Sequence, residues 1–260
     1  MDTAVLLSGG LDSAVLLAEE AERNQVQPIY VAAGLAWEAR ERQAIARLLT
    51  HEAFGRVGAL VTLTVDMRDV YPAAHWALQG TPPAYHTPDE DVYLPGRNIV
   101  LLGKAGVYCA SVHIRRLVLG TLGHNPFPDA TPEFRAAMAR ALSLGLAHDL
   151  EVDAPYAAVG KSEVIRRGAA LGVPLELTMS CMNPRSGSRG GGRSDPLAPV
   201  GEDNLSRPLS VRHCGACSKC RERHDAFIDA KVPDPTEYAD TRDIGSGHRV
   251  IGSSGPRVIR

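Results

Sequence analysis

Three stretches of the 260-residue chain hold residue types at spacings that do chemistry. The first is SGGLDS, residues 8 to 13, which follows the apolar run TAVLLS and opens a segment where Leu11, Ala14, Val15 and Ala18 share one helical face. A strand that becomes a helix there leaves backbone N–H groups unpaired, at the end where the helix dipole favours an anion. Gly9 and Gly10 let the backbone come close, and the hydroxyls of Ser8 and Ser13 can donate to phosphate oxygens. Asp12 is tolerated beside a polyphosphate if it faces a divalent cation or caps the helix. Two glycines alone would be a plain turn, but the full stretch from Ser8 through Leu11 to Ser13, set after the first strand, reads as a nucleotide site. It is neither GxxxxGK[ST] nor GxGxxG.

The second is CxxCxxC at Cys214, Cys217 and Cys220, three of the chain's five cysteines. Thiolates so spaced in a tight turn converge on one tetrahedral Zn²⁺, and Cys181 is the sensible fourth sulfur. His213 and His224 flank the cluster and could replace Cys181, and an iron–sulfur cluster is an alternative occupant. Zinc in a structural role is the expectation, since four thiolates leave no open coordination position. Cys109 lies in an apolar helix and reads as core. The third stretch is PGRN: Arg97 at a helix start can pair with a phosphate or carboxylate, and Asn98 can hydrogen-bond a neighbour or a nucleotide.

The elements that must position these groups alternate. QPIYVAA at 27 to 33, ALVTLTV at 59 to 65, RRLVLGTL at 115 to 122 and LEVDAPY at 150 to 156 read as further strands. Between them lie a helix carrying Ile45, Leu48, Leu49 and Ala53 on one face, the helix after PGRN, and one capped by Thr131 with Pro132 in its first turn. A last helix, SEVIRRGAALG, ends at Gly172 and Pro174. Such alternation predicts an α/β fold, a parallel sheet with helices on both faces, and ligands bind beyond the carboxyl ends of its strands. Composition is 44% hydrophobic and 22% charged with net charge −2, so there is no general attraction to nucleic acid or to a membrane. MDTAVLLSGG has no basic leader and no stretch is long enough to span a bilayer, which predicts a cytoplasmic address.

SGGxDS after an N-terminal strand is the signature of the PP-loop ATP pyrophosphatases. YLPGRNIVLLGKA at 93 to 105, TMSC at 178 to 181 and HCGACSKCRERHDAF at 213 to 227 resemble the 7-cyano-7-deazaguanine synthases, in that family's order, over residues 3 to about 228. The resemblance implies an adenine nucleotide alpha hydrolase-like α/β domain at 1–177, a zinc-binding subdomain at 178–230 with an insert at 183–208, and a tail at 231–260. It implies an ATP-dependent C–N ligase that adenylates 7-carboxy-7-deazaguanine and reacts it with ammonia to give 7-cyano-7-deazaguanine, for deazaguanine modification of nucleic acid in queuosine biosynthesis. ATP with magnesium would lie on Ser8, Gly9, Gly10, Leu11, Asp12, Ser13, Arg97 and Asn98, with Asp12, Ser13 and Lys161 catalytic. Asp129 and Glu133 would accept from the N–H groups of the deazaguanine, and Cys181, Cys214, Cys217 and Cys220 would hold zinc.

The chain departs from the family in three places. FPDA at 127 to 130 stands where a YPDC-type stretch is usual, GLAWE at 34 to 38 replaces a polar stretch, and the insert, rich in Gly, Ser, Pro and Arg, is unusually long. Loop closure costs only roughly 0.6 kcal/mol per doubling of length, so the insert is compatible with a four-cysteine site. FPDA and the insert motivate an alternative: a paralogue that adenylates another carboxylate, stops at the amide, or transfers a deazaguanine acyl group to a protein amine. A tRNA-thiolating enzyme lacks support in any basic stripe, and a non-enzymatic zinc module does not explain SGGLDS. The Gly-, Ser- and Arg-containing C-terminus leaves a tail, an edge strand or a homodimer contact open.

Overall fold

The computed structural model describes residues 1–123, 125–186 and 211–244, so most of the insert and the tail beyond residue 244 lie outside the described residues. The chain runs β1 (Thr3–Leu6), α1 (Leu11–Ala21), β2 (Val26–Ala32), α2 (Glu38–Leu48), β3 (Val61–Thr64), a short α3 (Trp76–Gln79) and α4 (Arg97–Ser111). It continues through β4 (Arg116–Val118), α5 (Pro132–Leu146), β5 (Glu151–Asp153), α6 (Lys161–Ala170), β6 (Arg185–Ser186), β7 (Val211–Arg212) and α7 (Ser218–Ala230). β1 to β5 form one sheet in the order β3-β2-β1-β4-β5, every pair parallel. β6 and β7 pair antiparallel outside it.

Alternate residues of the central strands feed two cores, as a sheet buried on both faces requires. Val5, Tyr30 and Val118 meet apolar residues of α1, α2, α6 and α7, whereas Ala4, Ile29 and Leu117 meet those of α4 and α5. A third core gathers Trp37, Tyr71, Met179 and the four cysteines Cys181, Cys214, Cys217 and Cys220 beyond the sheet.

The elements follow the sequence pattern in order and type, with boundaries shifted by a few residues. The helix expected to carry Ile45 through Ala53 stops at Leu48. Thr50 Oγ1 donates to Arg47 O at 2.8 Å, and His51 accepts the Ala53 N–H to start a separate 3₁₀ turn at Glu52–Phe54. Local side-chain bonding to the backbone ends the helix there. At α5 the expected cap forms: Thr131 Oγ1 accepts the Phe134 N–H at 3.1 Å, with Pro132 in the first turn.

Candidate active site

β1 lies between β2 and β4, so the loops leaving β1 and β4 part company at this point of the sheet. Such a switch point opens a crevice at the carboxyl ends of the strands. A cavity of about 550 Å³ occupies it, lined by Ser8 and Gly10 to Ser13 after β1 and by Gly120 to Gly123 after β4. That volume suits a ligand of nucleotide size.

The β1 loop is bound to itself and to the cysteine region. Gly9 has φ +76°, and a Cβ there would sit 3.0 Å from Ile45 Cγ1 and 3.1 Å from Glu41 O, so only glycine fits. Met179 N–H donates to Gly9 O at 2.8 Å. Ser13 Oγ accepts the Ser8 N–H at 3.2 Å and donates to Gly10 O at 3.1 Å, and Ser8 Oγ accepts the Gly10 N–H at 3.3 Å. Asp12 stands in the first turn of α1. Its Oδ2 is 3.0 Å from Lys161 Nζ, while its Oδ1 is buried without a hydrogen-bond partner. A buried carboxylate oxygen left unpaired in a cavity wall is a cation-seeking group.

Lys161 is the first residue of α6 rather than the residue before it. Its ammonium also lies 2.6 Å from Glu222 Oε1, and Glu222 Oε2 accepts from Lys219 Nζ at 2.5 Å. Burial favours the neutral forms of Lys161 and Glu222, but the ion pairs prevail. The carboxylates of Asp12 and Glu222 raise the lysine above its ordinary value, and Lys161 with Lys219 takes Glu222 down to about 2. All four side chains line the cavity.

The opposite wall is aromatic and carries Arg97. Gly96 at φ +76° turns the chain into α4, Arg97 is its first residue, and its buried Nε has no hydrogen-bond partner. Asn98 is engaged with Asp129: its N–H donates to Asp129 Oδ2 at 3.1 Å and its Nδ2 to Asp129 O at 2.9 Å. Burial pushes the Asp129 carboxyl up, and the residue lines the cavity with Phe127, whose ring stacks on Tyr93 at 5.0 Å between centroids. Glu133 is exposed in the first turn of α5 and does not line the cavity. Trp37 and Trp76 stack at 5.8 Å on the same side, and Trp37 Nε1 donates to Glu41 Oε1 at 3.0 Å. Glu41 also accepts from Tyr30 OH at 2.9 Å, and burial pushes its carboxyl up to about 7, against the opposing pull of Arg97.

Beside the cavity the sulfurs of Cys181, Cys214, Cys217 and Cys220 all lie within 4.8 Å of one another, and all four residues are buried. The Cys214–Cys220 and Cys217–Cys220 separations are 3.8 and 3.5 Å. Four sulfurs at about 2.3 Å from one tetrahedral ion would be about 3.8 Å apart, so the set fits a metal. The backbone N–H groups of Asn183 and Cys214 point at Cys181 Sγ at 3.3 and 3.2 Å, and that of Ala216 at Cys214 Sγ at 3.4 Å, as thiolates require. His213 and His224 stand apart from the set: His213 Nε2 accepts the Ser180 N–H and His224 Nδ1 faces Asp234.

The knot is clasped by residues the sequence motifs did not mark. Arg223, fully buried, donates to Thr178 Oγ1 at 2.8 Å, Leu175 O at 2.8 Å and Thr236 Oγ1 at 2.6 Å. Residues 237 to 240 pair with His213 and Cys214 through the backbone. The structure thus brings Ser8, Gly10 to Ser13, Arg97, Asn98, Asp129 and Lys161 to one cavity and sets the four cysteines against its wall, with Gly9 holding the loop from behind. Glu41, Lys219, Glu222 and the two tryptophans are the additions.

A parallel sheet covered on both faces, with a serine- and glycine-bearing loop closing β1 at the switch point, is the PP-loop type of α/β nucleotide-binding fold, here joined to a four-cysteine cluster able to hold a metal. Within that class the chain belongs to the QueC family: the family model described as "Queuosine biosynthesis protein QueC" matches residues 2–231. The 7-cyano-7-deazaguanine synthase of Methanopyrus kandleri is 33% identical over 249 residues, spanning 92% of this chain and 99% of that protein. The synthases of Caldicellulosiruptor bescii and Xanthomonas campestris pv. campestris are 30% and 31% identical, spanning 92% and 90% of this chain and 97% and 96% of theirs. The protein is an enzyme of the QueC type, and among the described residues no helix is long and apolar enough to cross a membrane.

Proposed function

We propose that the protein is an ATP-dependent C–N ligase acting on 7-carboxy-7-deazaguanine. The substrate carboxylate attacks the α-phosphorus of ATP, pyrophosphate leaves, and ammonia displaces AMP from the acyl-adenylate to give the amide. A second ATP adenylates the amide oxygen, again releasing pyrophosphate, and departure of that oxygen with AMP and of the two amide protons yields 7-cyano-7-deazaguanine. Hydroxide is a poor leaving group and AMP a good one, which is why the acid must be activated.

The observation that carries this reading is the pair of unpartnered buried polar atoms in one cavity, Asp12 Oδ1 and Arg97 Nε. The first suits the magnesium of a nucleotide and the second an anion, phosphate or carboxylate. Magnesium, when bound, would neutralise charge on the leaving pyrophosphate. The chain's own residues do the rest: the β1 loop presents its N–H groups, Lys161 sets a positive charge beside Asp12, and the stacked rings on the far wall offer a surface for a flat heterocycle. Asp129 lines that wall as an acceptor; Glu133 would reach the substrate only if the first turn of α5 moved. Zinc on Cys181, Cys214, Cys217 and Cys220 would be structural, since four thiolates close its coordination.

The alternative of a different acceptor rests on FPDA and the insert: Ala130 is buried and absent from the cavity wall, Asp129 keeps its place in it, and most of the insert lies outside the described residues. Reaction with ATP, ammonium and 7-carboxy-7-deazaguanine, followed by mass spectrometry, tests the assignment. Nitrile with AMP and pyrophosphate supports it; amide alone, or a protein adduct, moves it to the paralogue. Asp12→Ala should abolish AMP release, and formation of ADP instead would defeat the adenylation step.

A further inference from the structure

The sequence motifs place nucleotide contacts on the β1 loop, α4 and α6, and leave α7 to the metal. Yet α7 sends two side chains into the cavity, Lys219 and Glu222. We infer that Lys219 binds the polyphosphate of the nucleotide, sharing it with Lys161. This inference rests on the nucleotide reading of the site and extends it to a helix outside the loop motifs.

The argument is one of charge. Lys161 is the obvious phosphate cation, but its ammonium already touches two carboxylates, Asp12 at 3.0 Å and Glu222 at 2.6 Å. Those three groups together carry one net negative charge, and a polyphosphate would approach against it. Lys219 closes the deficit, making the chain Asp12, Lys161, Glu222, Lys219 alternate in sign and sum to zero. A further cation attracted by the unpaired Asp12 Oδ1 would turn the cluster positive.

The geometry favours a ligand contact over a helix-surface pair. An exposed i,i+3 pair would face water, whereas the Lys219 and Glu222 side chains are 28% and 22% exposed and both open into the cavity. The two ammonium groups grip the two oxygens of one carboxylate, so they stand as neighbours with their remaining N–H donors free. A phosphate group presents three oxygens in a similar span and bears more charge than the carboxylate it would compete with. Glu222 therefore holds both lysines at the cavity wall, where phosphate oxygens would compete with its carboxylate for them. Lys219 is placed by its neighbours on both sides, since the cysteine cluster fixes Cys217 and Cys220 around it.

The test uses the full-length, metal-loaded protein and calorimetric titration with three probes in the presence of magnesium: inorganic pyrophosphate, α,β-methylene-ATP and AMP. Lys219→Ala should weaken pyrophosphate and the ATP analogue about tenfold and leave AMP within about twofold, and Lys219→Arg should restore most of the loss. The loss should shrink as ionic strength rises. Equal binding of pyrophosphate by wild type and Lys219→Ala overturns the inference and leaves the nucleotide site standing. So does a parallel loss of AMP, which would mark a general disturbance of the cavity. Wild-type protein that binds neither pyrophosphate nor the ATP analogue brings down the nucleotide reading and this inference together.

Discussion

Arg221 on α7 donates through Nη2 to Asp89 Oδ1 at 2.9 Å, which straps the cavity rim to the helix that carries Cys220. Its Nη1 donates to Tyr85 O at 2.9 Å and Thr87 O at 2.8 Å. The strapped segment supplies Asp89, Val92 and Tyr93 to the cavity wall. Arg221→Ala should loosen that wall and raise KM for the acceptor about tenfold, with kcat within about twofold and metal content unchanged. Lysine cannot reproduce the forked contacts, so Arg221→Lys should recover only part of the loss. Steady-state kinetics beside metal analysis reads the outcome.

Gly215 has φ +76°, and a Cβ at that position would fall 1.8 Å from Asp240 O. The backbone conformation alone costs a side chain about 1–3 kcal/mol, before any contribution from the collision. Gly215→Ala should lower Tm by about 5 °C or more and weaken metal retention, because Asp240 N–H also donates to Cys214 O. Calorimetric unfolding and metal content report both.

Removing one sulfur should empty the metal site. In Cys217→Ser the remaining thiolates offer an incomplete set, and bound zinc should fall from about one per chain to near zero. A chelator added to the wild-type protein should lower Tm in the same direction. Full zinc retention in the variant, measured by mass spectrometry of the metal, would count against the cluster.

Glu41 makes stability depend on pH in a defined sense. Its folded-state value, about 7, lies above the ordinary 4.5, chiefly through burial. The contribution is therefore fully present below about pH 4.5 and is lost as pH rises through 7, by about 3 kcal/mol in order of magnitude. Glu41→Gln removes the titration while keeping the size of the group. Its unfolding free energy should vary less between pH 5 and 8 than that of the wild type, as urea titrations at several pH values would show.

The site is legible in the sequence where its chemistry lies in consecutive residues. Ser8 to Ser13 announce themselves because strand, glycine turn and helix start follow one another, and the cysteines because their spacing is itself a ligand geometry. Lys219 and Glu222 are hidden for the opposite reason. They stand in SKCRERHDAF among charges that look like a solvated helix face, and only the packing of α6 against α7 brings them to Lys161. Glu41 and Trp37 are masked likewise, since a glutamate in WEARERQ gives no sign that Tyr30 and Trp37 will enclose it. Glu133, expected beside Asp129, faces solvent because Thr131 and Pro132 start a helix whose first turn points it away from the cavity.

Trp37 and Trp76 are the chain's only two tryptophans, and both stand at the cavity. The protein is thereby equipped with an intrinsic optical reporter, since near-ultraviolet emission originates almost wholly from indoles at the spot where a planar guest would arrive. Quenching on addition of a heterocycle would signal occupancy directly, without a label and without turnover.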